Sequence, residues 1–229
     1  MRSLRASQPG SPRLDGNERS YYFLAVVVIS KSETTREAIL QEGLALASRI
    51  GFEPLSIGEL AKAVGMSKSG LYAHFRDKED LQVQVLKRAG EIFTEQVVAP
   101  AQGTEEGEAR LRELFARWLA WAESKAVPGG CPFMSASNEY DDRPGPVRDY
   151  LVEAQQRWLG GLARAARSAV ERGEFRADLD LEQFAHDFYA LALAYNHFRR
   201  LLRDPRAEER ARAGFENLLT AARAPRGTS

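Results

Sequence analysis

The amino-acid sequence predicts an all-α protein with a small N-terminal helical domain followed by a larger helical C-terminal domain. From residue 34 onward, apolar side chains recur at intervals of three and four residues, which is the period of an amphipathic helix. No segment alternates apolar and polar residues over a length typical of a strand. Ser, Thr, Asp and Gly separate the periodic segments, at positions where helices usually begin and end.

The composition limits the classes of partner. Lys plus Arg and Asp plus Glu number 32 each among 229 residues, so no long-range field draws the whole molecule toward nucleic acid or a membrane. Any contact with DNA must therefore be local. A single cysteine, Cys131, excludes an internal disulfide and a multi-cysteine metal cluster, and it fits a reducing compartment. We expect a cytoplasmic protein.

Residues 1–32 are predicted to be a disordered arm, because this segment is rich in Ser, Arg, Pro and Gly and its start has no helical period. The apolar run at 21–29 is too short to span a bilayer and lacks a signal-peptidase pattern after it. Two other interpretations stay open. Translation could begin near residues 26–28, or the arm could contact DNA through its arginines, Arg2, Arg5, Arg13 and Arg19.

The first and fourth helices frame the predicted N-terminal domain. The first begins at a capping box of Thr34 and Glu37 and ends at Gly51. The fourth begins after Asp77 and continues to about Phe93.

Between them, residues 56–75 have the spacing of a helix-turn-helix, with two helices of about eight residues around a glycine turn. Ser56 caps one helix, and Ser67 caps the next, predicted to run from 68 to about 75. Gly65 allows the positive φ of a sharp turn, and Ala61 lets the helices approach. The outer face stays polar. Leu60, Val64, Leu71 and Phe75 are the predicted joint core.

Three segments together resemble the TetR family of helix-turn-helix transcriptional regulators. They read TREAIL at 35–40, RIGFEPLSIGELAKAVGMSKSGLYAHF at 49–75 and DKEDL at 77–81. The resemblance covers about residues 33–93, which we define as the predicted DNA-binding domain. It implies a dimeric regulator, most often a repressor, that binds a palindromic double-stranded DNA operator and is released by a small effector.

The family pattern implies DNA contacts on and around the third helix. Base or phosphate contacts are expected from Lys68, Ser69 and Gly70. The two helix caps, Ser56 and Ser67, are counted among the predicted DNA-binding residues as well, because free N–H groups at a helix start attract a phosphate. Phosphate contacts are expected from Tyr72, His74 and Lys78, and from Thr35 and Arg36 at the start of the first helix. For Tyr72 the alternative is packing in the domain core, and for His74 it is a ring stacked on the surface.

The sequence departs from the family pattern in two ways. Ala47 stands where the family usually has a bulky aromatic residue, so the first helix can pack differently. Residues 33–93 also hold eight Lys or Arg against nine Asp or Glu, which is unlike a strongly basic DNA-binding domain. We therefore expect moderate nonspecific affinity, with specificity carried by direct contacts.

Residues 100–223 are predicted to bind the effector and to dimerise through the last two helices, as the resemblance implies. Helices are predicted at 108–125, 147–172, 181–202 and 208–222, with a linker at 99–107 and a Pro/Gly break at 128–132. Aromatic residues at helical spacing could line an apolar pocket, although each one alone is more often ordinary core, because any helical bundle needs such residues. The residues selected for ligand binding are Trp118, Trp121, Trp158, Phe184 and Phe188.

Other chemistry has little basis in the sequence. Cys131 in a Gly-Gly-Cys-Pro run is either a redox sensor or a small buried apolar residue. Glu139, Asp141 and Asp142 are expected to form a solvated turn, while His186 and His197 lie too far apart to share a metal. No catalytic or nucleotide-binding motif occurs, so no enzyme, metal or cofactor is predicted. A DNA-binding architectural factor without any small ligand is the remaining alternative.

Overall fold

A computed structural model describes residues 35–224, so the predicted arm at 1–32 and the capping residue Thr34 lie outside the described part. Within it the chain is helical and contains no strand, apart from one isolated bridge between Phe175 and Arg223, and this confirms the all-α class. The helices are α1 (35–50), α2 (Ile57–Val64), α3 (Lys68–Tyr72), α4 (Lys78–Phe93), α5 (Ala99–Gln102), α6 (Glu108–Ala122), α7 (Pro132–Tyr140), α8 (Pro146–Glu171), α9 (Leu181–Arg200) and α10 (Ala207–Ala222).

Local caps form α2 and α3 where the sequence predicts them. The Ser56 hydroxyl accepts a hydrogen bond from the Glu59 N–H at 3.2 Å, and the Ser67 hydroxyl accepts one from the Gly70 N–H at 3.1 Å. Gly65 ends α2 with φ at 69°, in the left-handed region that favours glycine. The helix-turn-helix at 56–75, called the hairpin below, therefore has the predicted caps and turn.

The third helix is shorter than predicted, since α3 ends at Tyr72 rather than near Phe75. Residues 73–76 form a turn that places Phe75 in the core at 1% exposure. Asp77 follows in extended conformation and caps α4 by accepting the Asp80 N–H at 2.8 Å. The chain therefore leaves α3 about three residues earlier than predicted and begins α4 at the Asp77 cap.

The segment after α4 is more helical than predicted. A π-helical turn, Thr94–Val98, joins α4 to α5, so the linker expected at 99–107 is wrong for its first four residues. The Thr94 hydroxyl donates to the Gly90 carbonyl at 2.8 Å, and Pro100 fits a helix's first turn, where its missing N–H costs nothing. Helical structure therefore continues from the start of α4, next to the hairpin, through the π-helical turn to the end of α5.

One helix was missed in the sequence. Residues 132–140 form α7, which begins at Pro132 in its first turn. In the sequence, the Pro and Gly residues before it indicate a break, and Glu139, Asp141 and Asp142 indicate a solvated turn, which only Asp141 and Asp142 form. Proline is as compatible with the start of a helix as with a loop, so the pattern alone was ambiguous.

The C-terminal helices pack around a core of aromatic side chains. Phe115 stacks on Phe215 with ring centroids 4.1 Å apart, and Phe188 meets both rings edge to face. At the end of α10, Arg223 donates two hydrogen bonds to the carboxylate of Glu108, at 2.8 and 2.7 Å. Within residues 35–224, no helix is both long enough and apolar enough to cross a bilayer.

Candidate DNA interface and effector cavity

The start of α3 presents a small polar surface to solvent. Ser67, Lys68 and Ser69 are all exposed, and the two serine hydroxyls lie 3.1 Å apart. The end of the Lys68 side chain lies over Gly58, so that a Cβ there would be 3.2 Å from Cε. Lys68 forms no ion pair with any residue in 35–224, which leaves its ammonium available to an external anion. Gly70 is half-buried beside them.

Tyr72 and His74 follow at the end of the same helix. The Tyr72 side chain is 58% exposed, so its alternative role in the domain core is wrong. His74 is half-buried, with its ring centroid 6.3 Å from that of Phe75. Tyr72 is therefore open to solvent, and His74 is partly so.

Some of the other predicted DNA contacts already interact with groups of the protein itself. Lys78 is exposed and pairs with Glu53 at 3.2 Å, so a phosphate would compete with that carboxylate. Ser56 is half-buried and engaged as the cap of α2. At the start of α1, Thr35 is exposed and Arg36 is half-buried. All of these DNA contacts remain predictions.

A cavity of about 550 Å³ lies among the C-terminal helices, bounded by α4 to α9. That volume is in the range of small-molecule sites. Apolar side chains from several helices line much of it, and polar groups line the remainder. The apolar group includes Phe93, Leu114, Trp118, Phe133, Met134 and Trp158; the polar group includes Gln102, Arg110, Tyr150, Gln155, Arg157, Arg164, Ser168 and Tyr189.

Two of the five residues selected for ligand binding, Trp118 and Trp158, line this cavity. The other three do not. Trp121 is buried with its ring edge to face with Phe93, and Phe184 lies beside Phe175. Phe188 has an edge of its ring against Trp158 but belongs to the cluster between α6 and α10. Their helical period predicted burial correctly and could not distinguish core from cavity wall.

The polar residues that line the cavity were not predicted from the sequence. Tyr189 donates a hydrogen bond to the Gln155 side chain at 3.1 Å, and burial raises the pKa of Tyr189 to about 12. Arg110, Arg157 and Arg164 also face the cavity. Arginines on amphipathic helices usually lie in solvated faces, so only their proximity in space identifies them.

Cys131 lies at the start of α7 and lines the cavity while being only 6% exposed. Burial raises the pKa of its thiol, which lowers the fraction of reactive thiolate. Of the two interpretations of this residue, the buried apolar one fits its surroundings.

Helix α7 connects the cavity to the turn between α1 and α2. Its first half contributes Phe133 and Met134 to the cavity, while Glu139 near its end accepts hydrogen bonds from the N–H groups of Phe52 and Glu53, at 3.2 and 2.5 Å. The expectation that Glu139 lies in a solvated turn is therefore wrong. Its carboxylate satisfies two backbone donors that follow α1.

A second connection lies just before α7. The Gly129 N–H donates to the Ser48 hydroxyl at 3.0 Å, and a Cβ at Gly129 would lie 1.5 Å from the Ser48 carbonyl oxygen. Only glycine permits so close an approach to the backbone of α1. The Gln82 side chain of α4 donates to the carbonyl groups of Phe52 and Leu55, at 2.5 and 3.2 Å, and ties the same turn to α4.

Comparison with known proteins identifies both parts of the chain. Residues 39–85 match the family described as bacterial regulatory proteins, tetR family, and residues 107–215 match the tetracyclin repressor-like C-terminal domain. The chain is 33% identical to the HTH-type transcriptional repressor ComR of Escherichia coli over 151 residues, 66% of this chain and 72% of ComR.

Solved structures show the same fold. A TetR transcriptional regulator from Chloroflexus aurantiacus superposes with a TM-score of 0.74 at 24% identity, over 83% of this chain and 95% of that chain. The structure of AibR in complex with isovaleryl coenzyme A and operator DNA gives a TM-score of 0.66 at 24% identity, over 82% and 98%. With the helix-turn-helix, the helical C-terminal part and these matches taken together, the chain belongs to the TetR family of bacterial transcriptional regulators.

Proposed function

We propose that this regulator is a homodimeric repressor that binds a palindromic operator and is released by a small effector with an apolar or aromatic body. The observation that carries the proposal is that one helix, α4, joins the cavity to the hairpin. Helix α4 begins at Lys78, directly after the α3 surface, and its last turns supply Gly90 and Phe93 to the cavity. A tilt of α4 around a bound ligand would therefore move the groups that face DNA.

Operator binding is assigned to the exposed face of α3 and its flanks. Lys68 has the position, charge and lack of a described ion-pair partner that a base or phosphate contact requires. Tyr72 and His74 would add contacts at the edge of this face, and Lys78, Thr35 and Arg36 would bind phosphates. Because the whole chain carries no net charge, we expect DNA affinity to depend on these few groups.

Regulation is assigned to two connections between cavity and hairpin. One is α4 itself, and the other is α7, whose Glu139 holds the backbone after α1 while Phe133 and Met134 face the ligand space. A ligand can shift the equilibrium only if it prefers one arrangement of these helices. Typical coupling of about 1 to 3 kcal/mol would weaken operator binding roughly 5- to 150-fold.

Dimerisation is assigned to α9 and α10. Large apolar side chains are exposed on the second half of α9 and just beyond it, with Leu201 at 71% and Leu202 at 55% exposure. Leu193 and Phe198 add to the same segment at 45% and 39%. Exposed apolar side chains grouped in this way are typical of a subunit interface. Two-fold symmetry would place the recognition helices about 34 Å apart, on a palindromic site.

The first experiment measures assembly. Light scattering at micromolar concentration should give a dimer for the unmodified protein, while Leu201→Glu should shift it toward monomer because a charge would be buried in the interface. A monomeric unmodified protein would remove the basis for the palindromic site.

The second experiment measures function. Selection from a random duplex pool should return a palindrome, and anisotropy titrations on that DNA should then be repeated with candidate ligands. We expect a ligand that stabilises the protein against heating to weaken operator binding at the same concentrations. A DNA-binding architectural factor would show selection of DNA without any ligand response. Such a regulator works in the cytoplasm, by binding rather than by catalysis.

A further inference from the structure

The cavity carries an excess of positive charge that its apolar walls do not explain. Three arginines, Arg110, Arg157 and Arg164, line it together with a single carboxylate, Glu106. Arg157 forms an ion pair with Glu153 and lies over the Tyr150 ring, with its guanidinium 5.8 Å from the centroid. By contrast, Arg164 forms no ion pair in the described residues, and Arg110 leaves its Nε without a hydrogen-bond partner.

Arg164 has no ion pair with any residue of the described part of the chain. Its guanidinium lies along α8 beside Gly160 and Gly161, where added Cβ atoms would come within 3.3 and 3.8 Å of its nitrogens. Glycine inside a helix is less favourable than alanine, so this pair weakens α8. The space left by the missing side chains is the space in which the guanidinium lies.

Arg110 is partly committed and partly unsatisfied. Its terminal nitrogens contact Glu106 at 3.2 Å and the carbonyl groups of Gln102 and Thr104, at 3.3 and 3.0 Å. Its Nε is buried and has no hydrogen-bond partner in the structure. An unsatisfied buried donor is unfavourable, and a ligand oxygen that reached it would remove that cost.

Both arginines lie close to one contact between helices. The Gly107 N–H, at the start of α6, donates to the Ser168 hydroxyl of α8 at 3.1 Å. Arg110 follows Gly107 by three residues and Arg164 precedes Ser168 by four, so each is about one helical turn from this contact. The nearby carboxylates have partners of their own: Glu105 and Glu174 pair with Arg172, and Glu108 pairs with Arg112 and Arg223.

We propose that the effector is an amphipathic organic anion, with its aromatic or apolar body among Trp118, Trp158 and Met134 and its oxyanion at the end lined by Arg110 and Arg164. The inference rests on the proposed function, in that this cavity is the effector site. A guanidinium presents several donors in a plane, which suits the paired oxygens of a carboxylate or sulfonate. A neutral molecule of the same shape would leave both groups unused.

Two dyes test the charge requirement directly, because they share one ring system. Anilinonaphthalene sulfonate carries an oxyanion, and N-phenylnaphthylamine lacks it. Binding is followed by dye emission and by quenching of tryptophan fluorescence. We expect the unmodified protein to bind the sulfonate at least about tenfold more tightly at this site, since a charge-assisted hydrogen bond is worth about 1.5 kcal/mol or more.

Substitutions of single arginines show which of them the sulfonate requires. Arg164→Met keeps the apolar stem and should weaken sulfonate binding about tenfold while leaving the neutral dye unchanged. Arg167→Met is the matched control, because Arg167 is exposed on the same helix, does not line the cavity and has no ion pair in the described residues. Arg110→Met should act like Arg164→Met. Thermal unfolding of each variant checks that the fold is retained.

The outcomes separate this inference from the proposed function. Equal affinity for the two dyes, or equal losses in Arg164→Met and Arg167→Met, would overturn the anionic class and leave a ligand-responsive regulator intact. The expected binding pattern combined with unchanged operator affinity at saturating sulfonate would establish the site chemistry but remove regulation through it.

Discussion

The hairpin at 56–75 and the cavity among α4 to α9 are built from different kinds of information. In the hairpin, each feature has a local cause: a serine cap, a glycine at φ 69° or an apolar residue at the next turn. In the cavity, the wall consists of residues from six helices that are far apart in sequence. A site made by local signals can be located residue by residue, whereas a site made by packing requires the positions of whole helices.

The largest expected effect comes from comparing two glycines, Gly65 in the hairpin and Gly129 in the loop before α7, where packing brings distant parts of the chain together. A side chain at Gly65 would meet no atom within 4 Å, whereas one at Gly129 would overlap the backbone of Ser48 and Arg49. Gly65→Ala should therefore cost only the strain of its positive φ, about 1 kcal/mol of unfolding free energy. Gly129→Ala should cost about 3 kcal/mol or more, because the contact cannot relax by rotating a side chain.

Chemical denaturation of both variants measures the difference. Gly65→Ala serves as the control for the loss of glycine itself. Equal losses would mean that the approach of residues 127–130 to α1 adds no constraint, and the contrast between local and packed regions would be lost there.

This contrast explains how much was predictable. The sequence predicted the caps of α2, α3 and α4 and the burial of Leu60, Leu71 and Phe75, because each depends on neighbours within a few residues. It failed for α7, whose Pro132 start is indistinguishable from a loop without knowing what α7 packs against. It also failed for Trp121, Phe184 and Phe188, since the helical period indicates which face is buried but not whether a space lies beyond it.

The next effect concerns the exposed face of α3, to which operator binding is assigned. Lys68→Ala should weaken operator binding by about 1 to 3 kcal/mol and leave the melting temperature unchanged, because the side chain is exposed and unpaired among the described residues. Gel-shift titration measures the loss. Lys125→Ala, which removes the same charge from an exposed turn after α6, should leave affinity unchanged. Unaltered binding in Lys68→Ala would show that α3 does not contact the operator through this residue.

Phosphate contacts at the flanks should behave differently. His74→Ala and Lys78→Ala should weaken all DNA sequences about equally and reduce the salt dependence of binding, whereas a base contact would change sequence preference. The effect of Lys78→Ala should be the smaller one, because its ammonium already pairs with Glu53 at 3.2 Å. Anisotropy titrations on operator and unrelated DNA at several salt concentrations measure both quantities. A changed base preference in His74→Ala would indicate direct readout instead.

A smaller effect is expected where the two regions meet. Glu139→Gln keeps one acceptor for the backbone after α1 but loses the charge that strengthens both hydrogen bonds. Operator affinity without ligand should stay close to that of the unmodified protein, while the ligand-induced change should fall about fivefold, the lower end of typical coupling. Asp142→Asn, an exposed carboxylate just after α7, is the control. An unchanged response in Glu139→Gln would leave α4 as the route of coupling.

The smallest expected effect is on the pH dependence of stability, through an ion pair between C-terminal helices. The Arg223 guanidinium, which donates two hydrogen bonds to Glu108, and the neighbouring Arg112 hold the pKa of that carboxyl below its ordinary value. A carboxylate with a lowered pKa in the folded state stabilises the protein above its unfolded pKa, near 4.3, and loses this contribution as the pH falls through the folded value. Because the Arg223 side chain is 39% exposed, solvent screening limits the contribution to about 1 kcal/mol.

Glu108→Gln should therefore lower stability at neutral pH by about this amount and flatten the loss of stability between about pH 5 and pH 3. Urea denaturation at a series of pH values measures both, with Glu182→Gln as control, since Glu182 is exposed and forms no ion pair in the described residues. Operator affinity should not change, because Glu108 begins α6 and takes no part in the hairpin. If operator affinity changed while stability did not, the start of α6 would belong to the coupling path, and the separation of the two regions would fail at this point.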